Sequence, residues 1–165
     1  MGTQQILLIV LSVIIVGAAI AVGIDMFNRQ DYSSNRSAAA ADVQLFLTQV
    51  LQYYKMPLAL GGLGNDIDNA EDDDAIAGYI GWGDDNPMTN DNATYLVVLP
   101  ESTTGDDHIV DIKAICRSEL NDKRPVVHGR ITFPEGKITS RVDEIDNVEG
   151  AITETDFDFD LWASE

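Results

Sequence analysis

The chain has 165 residues and a mass of 18.0 kDa, room for one ordinary domain and an appendage. With 28 Asp and Glu against 10 Lys and Arg the net charge is −18, so it lacks the basic footprint of a nucleic-acid binder and is repelled by an anionic membrane surface. The one cysteine, Cys116, excludes an intrachain disulfide and a cysteine-rich zinc or iron–sulfur centre, and two histidines leave little for a histidine-based metal site.

Residues 6–24 read ILLIVLSVIIVGAAIAVGI, without a charge, and Ser12 is the one side chain among them that hydrogen-bonds. At 1.5 Å per residue the run is about 28 Å long as a helix, close to a hydrocarbon core of about 30 Å. The first charges beyond it are Asp25 and Arg29. A cleaved secretory signal is one reading, with Ala19-Ile20-Ala21 as a small-x-small site, but the five residues ahead of the run carry no Lys or Arg. A single-pass anchor is another, and it lacks the basic flank that usually sets orientation. A core helix of a soluble domain fails on size, because so small a domain cannot surround the run on every side.

A fourth reading places the missing basic residues on a short leader cut off ahead of Met1. The pattern resembles the type IV pilin family in its uncharged start, a polar residue at position five (Gln5), the apolar run from Ile6 to Gly17 and an amphipathic continuation. The resemblance covers about the first 55 residues. It implies a ladle-like α+β fold: a long N-terminal helix, half of it projecting and apolar, packed on a small antiparallel sheet. It implies a structural subunit of an extracellular filament at the cell surface, held in the inner membrane before assembly. The implied partners are identical copies, an assembly machinery and a prepilin peptidase. On this reading Met1, Gln5, Ile6, Leu7, Ile9, Val10, Val13, Ile14, Gly17, Ala21 and Gly23 carry polymerisation. Three features depart from the family. Gln5 replaces a glutamate and cannot neutralise a neighbour's terminal amine. No proline interrupts the apolar helix, and the usual C-terminal disulfide is impossible. A cut after Gly2 instead would put Thr3 first and remove the position-five match. The alternatives are a membrane-anchored extracytoplasmic binding or scaffold module, and a pseudopilin of a secretion system.

Residues 25–56 continue the helix. Val43, Phe46, Leu47, Val50, Leu51 and Tyr54 recur at steps of three and four, which marks one apolar face, and Pro57 stops the helix. A helix over residues 1–55 would be about 80 Å long, so its first half must project from any head of this size. Gly17 and Gly23 are its weak points, and any melting or kinking is expected between them. Gly17 and Ala21, like Ala19 and Gly23, form the small-xxx-small pattern of packed membrane helices. The aromatics Phe27, Tyr32, Phe46, Tyr53 and Tyr54 read as boundary anchors or core.

Residues 57–165 form the head, beginning with an acidic loop over 58–92. No Lys or Arg falls between Lys55 and Lys113. Asp66, Asp68, Asp72, Asp84 and Asp85 supply the oxygens that Ca²⁺ takes, but the spacing is not an EF-hand: counted from Asp66, position five is Ala70 and position six Glu71. A solvated acidic loop explains the same residues, and no cofactor is expected beyond this Ca²⁺ candidate. Strands are expected at 94–99, 109–117, 124–133 and 138–142, with turns at 103–107 and 134–137, as an antiparallel meander of about four strands over 93–165. The alternating tail over 156–162 reads as an edge strand or a segment that docks on a neighbour.

No nucleophile elbow, H-E-x-x-H, phosphate loop or dinucleotide fingerprint occurs, and the glycines of residues 78–83 have the wrong spacing. Cys116 and His128 could meet across adjacent strands, although a buried structural cysteine is the commoner case and His108 and His128 read as plain sheet residues. No enzyme activity is expected. Asn92 and Asn35 sit in glycosylation triplets. A charge of −18 on every subunit predicts filaments suited to high salt, and a halophilic source or divalent cations in the acidic loops.

Overall fold

The computed structural model describes residues 2–70, 72–83, 85–99, 108–148, 150–159 and 162. The fold is α+β, with a long apolar N-terminal helix packed on a small antiparallel sheet. Helix α1 spans Gly2–Lys55, 54 residues or about 81 Å. The helix does not melt between Gly17 and Gly23, where any melting was expected, and runs on through both. Each glycine costs roughly 1 kcal/mol, which does not break a helix that propagates cooperatively through Leu, Ile and Ala on both sides. The helix ends where foreseen, just before Pro57. Its last carbonyls are satisfied by the chain folding back: Leu63 N–H donates to Tyr53 O, Asn65 to Tyr54 O and Gly64 to Met56 O, at 2.8–3.1 Å.

The head begins at Tyr32. From there Tyr32, Ala39, Val43, Leu47, Val50 and Tyr54 are buried, and Phe46 and Leu51 are partly so. The apolar face read from Val43 to Tyr54 is the docked face, extended by Ala39 and Tyr32, where burial holds the Tyr32 phenol up at about 12 with Glu144 adding to the shift. Phe27, by contrast, is exposed.

The acidic stretch is not a plain loop. It holds a short helix α2, Asp73–Tyr79, and two 3-10 turns, Leu58–Leu60 and Ile67–Asn69. Five strands follow, where about four were expected: β1 Met88–Thr89, β2 Ala93–Val98, β3 His108–Cys116, β4 Lys123–Phe133 and β5 Lys137–Asp146. Their spatial order is the chain order and every pair is antiparallel. The extra strand β1 is a two-residue edge against β2. The turn into β5 forms as expected, with Gly136 in the left-handed region (φ 69°) and its N–H on Thr132 O. The expected turn over 103–107 lies outside the described residues.

Both sheet faces are covered. Tyr95, Val97, Val110, Ile112, Ala114, Val127, Ile131 and Phe133 meet the helix. Gly129 lies where α1 crosses closest, since a Cβ there would stand 2.6 Å from Leu47 Cδ1 and nearer still to Val43 Cγ1. The opposite face carries Leu96, Ile115 and Val126, closed over by Phe157. The tail is therefore not an edge strand over its described residues. A 3-10 turn at Glu154–Phe157 lays Phe157 and Phe159 across the sheet, and Trp162 contacts Arg141 beyond them. Asp160 and Leu161 lie outside the described residues.

Candidate functional site

The projecting half of α1 is the feature that most needs an explanation. Every residue from Gly2 to Asp31 is exposed. Thirteen large apolar side chains between Ile6 and Ile24 lie 51–70% open. Burying such a set against anything apolar is worth tens of kcal/mol gross. The surface is almost purely apolar, because the Ser12 hydroxyl donates back to Ile9 O at 2.8 Å. The run closes at Asp25, whose carboxylate takes Arg29 Nε at 2.9 Å one turn on. This one helix is long and apolar enough to cross a membrane.

Gln5, Ile6, Leu7, Ile9, Val10, Val13, Ile14, Gly17, Ala21 and Gly23 all lie on this exposed helix; Met1 falls outside the described residues. Gly17 and Ala21 share a face one turn apart. A Cβ added at Gly17 or Gly23 meets nothing, so both positions leave room for a neighbouring backbone to approach.

The Ca²⁺ candidates are dispersed into local structure. Asp66 caps the first turn after it by accepting Asp68 N–H at 3.1 Å, and Asp72 caps α2 through Ala75 N–H at 2.9 Å. Asp68 stands 3.6 Å from His108 Nδ1, Asp85 is exposed, and Asp84 is outside the described residues. Among the described residues no three of His, Cys, Asp and Glu converge on one point. The two glycosylation candidates have occupied amides: Asn35 Nδ2 donates to Asn92 O, and Asn92 Nδ2 donates to Asp42.

The Cys116–His128 pairing is overturned by register. His128 stands opposite Lys113, while Cys116 pairs with Ala93 of β2. Their side chains fall on opposite faces of the sheet, Cys116 toward the helix and His128 toward the tail. Burial pushes the Cys116 thiol up to about 12, which leaves it without thiolate character.

Two polar constellations were not visible in the sequence. Asp42 on α1 accepts from Tyr95 Oη (2.7 Å), Asn92 Nδ2 (2.9 Å) and Asn90 Nδ2 (3.3 Å). Burial opposes ionisation there, but the three donors win and hold the carboxyl below its usual range. On the tail-covered face, Arg130 grips Asp111 with two bonds of 2.7 Å, and His128 Nε2 stands 3.1 Å from the same carboxylate. Again the donors outweigh burial and lower the Asp111 pKa. Lys113 donates to Phe157 O at 3.0 Å, and Arg141 lies 4.0 Å over the Trp162 ring. The alternation of Asp111 and Lys113 with apolar neighbours reads as a solvated face. Only the aromatics at 157, 159 and 162 hinted at a cover. Both constellations brace the head.

Searches against family models, curated proteins and solved structures find no match for this chain.

Proposed function

We propose that this protein is a structural subunit of an extracellular type IV pilus-like filament, polymerising through the apolar half of α1. The observation that carries the reading is the division of one unbroken helix into two lives. Its second half is docked on the sheet, and its first half exposes apolar side chains around the whole circumference. A helix apolar on every side suits lipid before assembly and a bundle of identical helices afterwards. Transfer from lipid to bundle gains little hydrophobic energy, so close packing at Gly17, Ala21 and Gly23 must favour the bundle. Against water the same surface holds the subunit firmly, and the finished filament should resist dissociation. The heads then form the outer coat.

The test is cryo-electron microscopy of material sheared from the source cells, with this protein identified in it by mass spectrometry. The expected result is a helical filament with parallel α1 helices at its centre and heads outside. If the protein instead stays with the membrane fraction and no filament contains it, the chain is a membrane-anchored extracytoplasmic module.

A further inference from the structure

The basic residues are unevenly spread along the chain, and α1 gives the head a direction. Seven of the ten basic residues follow residue 112, and none falls between Lys55 and Lys113. Along α1 the head is ordered. Asn35 meets Asn92 and Ser118, Val43 and Leu47 meet Gly129, and Tyr54 stacks on Phe133. The start of β2 and the end of β3 therefore face the projecting stem, and the end of β2 lies at the far end of the head.

At the stem-facing end an open cavity of about 400 Å³ is lined by Arg117, Arg124, Thr89, Thr94 and Ile152, among others. Arg124 is largely buried and fixed, its Nε donating to Asn147 Oδ1, with Glu119 3.8 Å from Nη2. Arg117 is more than half exposed, with Asn90 O at 3.5 Å and Asp91 at 3.9 Å. A guanidinium has five donors, and these contacts occupy a minority of them on each arginine. Two guanidiniums around one cavity fit a carboxylate, which arginine binds in a fork, and the Thr89 and Thr94 hydroxyls, 3.0 Å from each other, leave one proton to donate beside them.

At the far end a second open cavity, about 380 Å³, is lined by Asp72, Asp73, Asp74, Asn86 and Glu154. Asp73 accepts Leu99 N–H at 3.0 Å, which ties this cavity to the exit of β2. Thr94 borders the first cavity and Leu99 is bonded to Asp73 of the second, and these two residues are about 17 Å apart along the strand. Asp72 caps α2 and Asp73 is bonded to the backbone, whereas Asp74 is exposed on the rim. A copy displaced along the direction of α1 brings its own far end toward the stem-facing end of the next. Such a contact joins two different surfaces and so repeats without closing.

We propose that the Arg117–Arg124 cavity is a carboxylate-binding site and that its occupant in the assembly is the Asp72–Asp74 segment of the neighbouring copy. This rests on the filament reading and names the contact between heads. It also gives the −18 chain a local attraction that opposes its general repulsion.

The experiment is a charge exchange in the full-length chain, expressed in the source cells. Arg117→Glu and Asp74→Arg alone should each cut filament yield about tenfold, by setting like charges against each other. Combined, they should restore it to within about twofold, with membrane-fraction levels of all variants equal on immunoblot. A second readout uses Arg117→Cys with Asp74→Cys and a short bismaleimide. Cys116 is buried, so the wild-type chain is the unreactive control. The expected product is a ladder past the dimer on denaturing gels, since a contact between unlike surfaces propagates. Wild-type filaments with no rescue and no ladder would overturn this contact and leave the filament reading standing. A wild-type chain that forms no filaments, with no ladder from the double-cysteine chain, removes both.

Discussion

Asp111 and Gly129 show how much of the head depends on single residues. Asp111 is buried between Arg130 and His128, so neutralising it removes the carboxylate that both of them face. Asp111→Asn should cost about 3 kcal/mol, read as a lower melting temperature of the full chain in detergent by circular dichroism. The same site sets a pH response. Its folded pKa lies below the ordinary carboxylate value, as does that of Asp42. The stability that each contributes is complete above the ordinary range, near pH 4, and is lost as pH falls through the folded pKa. Asp73 acts the other way, because burial raises its pKa. Among the described residues, two depressed carboxyls against one raised predict a melting temperature that drops below about pH 4, and a shallower drop in Asp111→Asn. The global charge change is common to both proteins, so their difference isolates the site; identical profiles would remove Asp111 from the account. Gly129 poses a steric question. A methyl group there meets Val43 and Leu47 in a core without slack. Gly129→Ala should cost about 1–3 kcal/mol as α1 is pushed off the sheet, and a melting temperature unchanged in the same assay would contradict this packing.

At the scale of elements, legibility followed period and length. Helix α1 was readable because Val43, Phe46, Leu47, Val50, Leu51 and Tyr54 hold a 3.6 period over several turns and Pro57 marks the end. Strands β2 to β5 were readable from β-branched runs between turn residues, within a residue or two at most ends. β1 was not, since two residues carry no period. The tail was misread for a physical reason. Alternation of Asp with Phe at 156–159 has the period of a strand, but the Thr153 and Asp156 side chains close a capping box that winds the segment into a 3-10 turn. The exposed apolar helix was fully legible, whereas the arginine cavity was not, because Arg117 and Arg124 are brought to Thr89 and Thr94 only by the sheet register. The tail as an element can be tested. Phe157 is buried, and Phe157→Ala should cost about 3–5 kcal/mol and release the cover over Ile115 and Val126. Hydrogen exchange should then rise over residues 150–159 while α1 stays protected. Unchanged exchange there would mean that Phe157 does not hold the segment.

At the scale of the whole molecule, two forces of different reach meet. The apolar half of α1 acts at contact and is indifferent to salt. The charge of −18 acts over a Debye length, about 30 Å at 10 mM salt, 10 Å at 0.1 M and 3 Å at 1 M. In the proposed filament, heads of this size would stand within 30 Å of several neighbours and beyond 3 Å of most of their charges. Repulsion would therefore be summed over many subunits at low salt and be nearly absent at high salt. The arginine–carboxylate contacts proposed between heads are short and partly shielded, so salt weakens them less than it relieves the diffuse repulsion. Filaments should thus persist in 1 M salt and shed subunits when dialysed to about 10 mM with a chelator, measured as the fraction pelleted on ultracentrifugation. Chelator at 1 M salt should change nothing if screening is the remedy, and should release subunits if bound divalent cations bridge the acidic loops instead. Filaments that pellet fully at low salt with chelator would show that the helix core alone governs stability and that the acidic coat is tolerated without compensation.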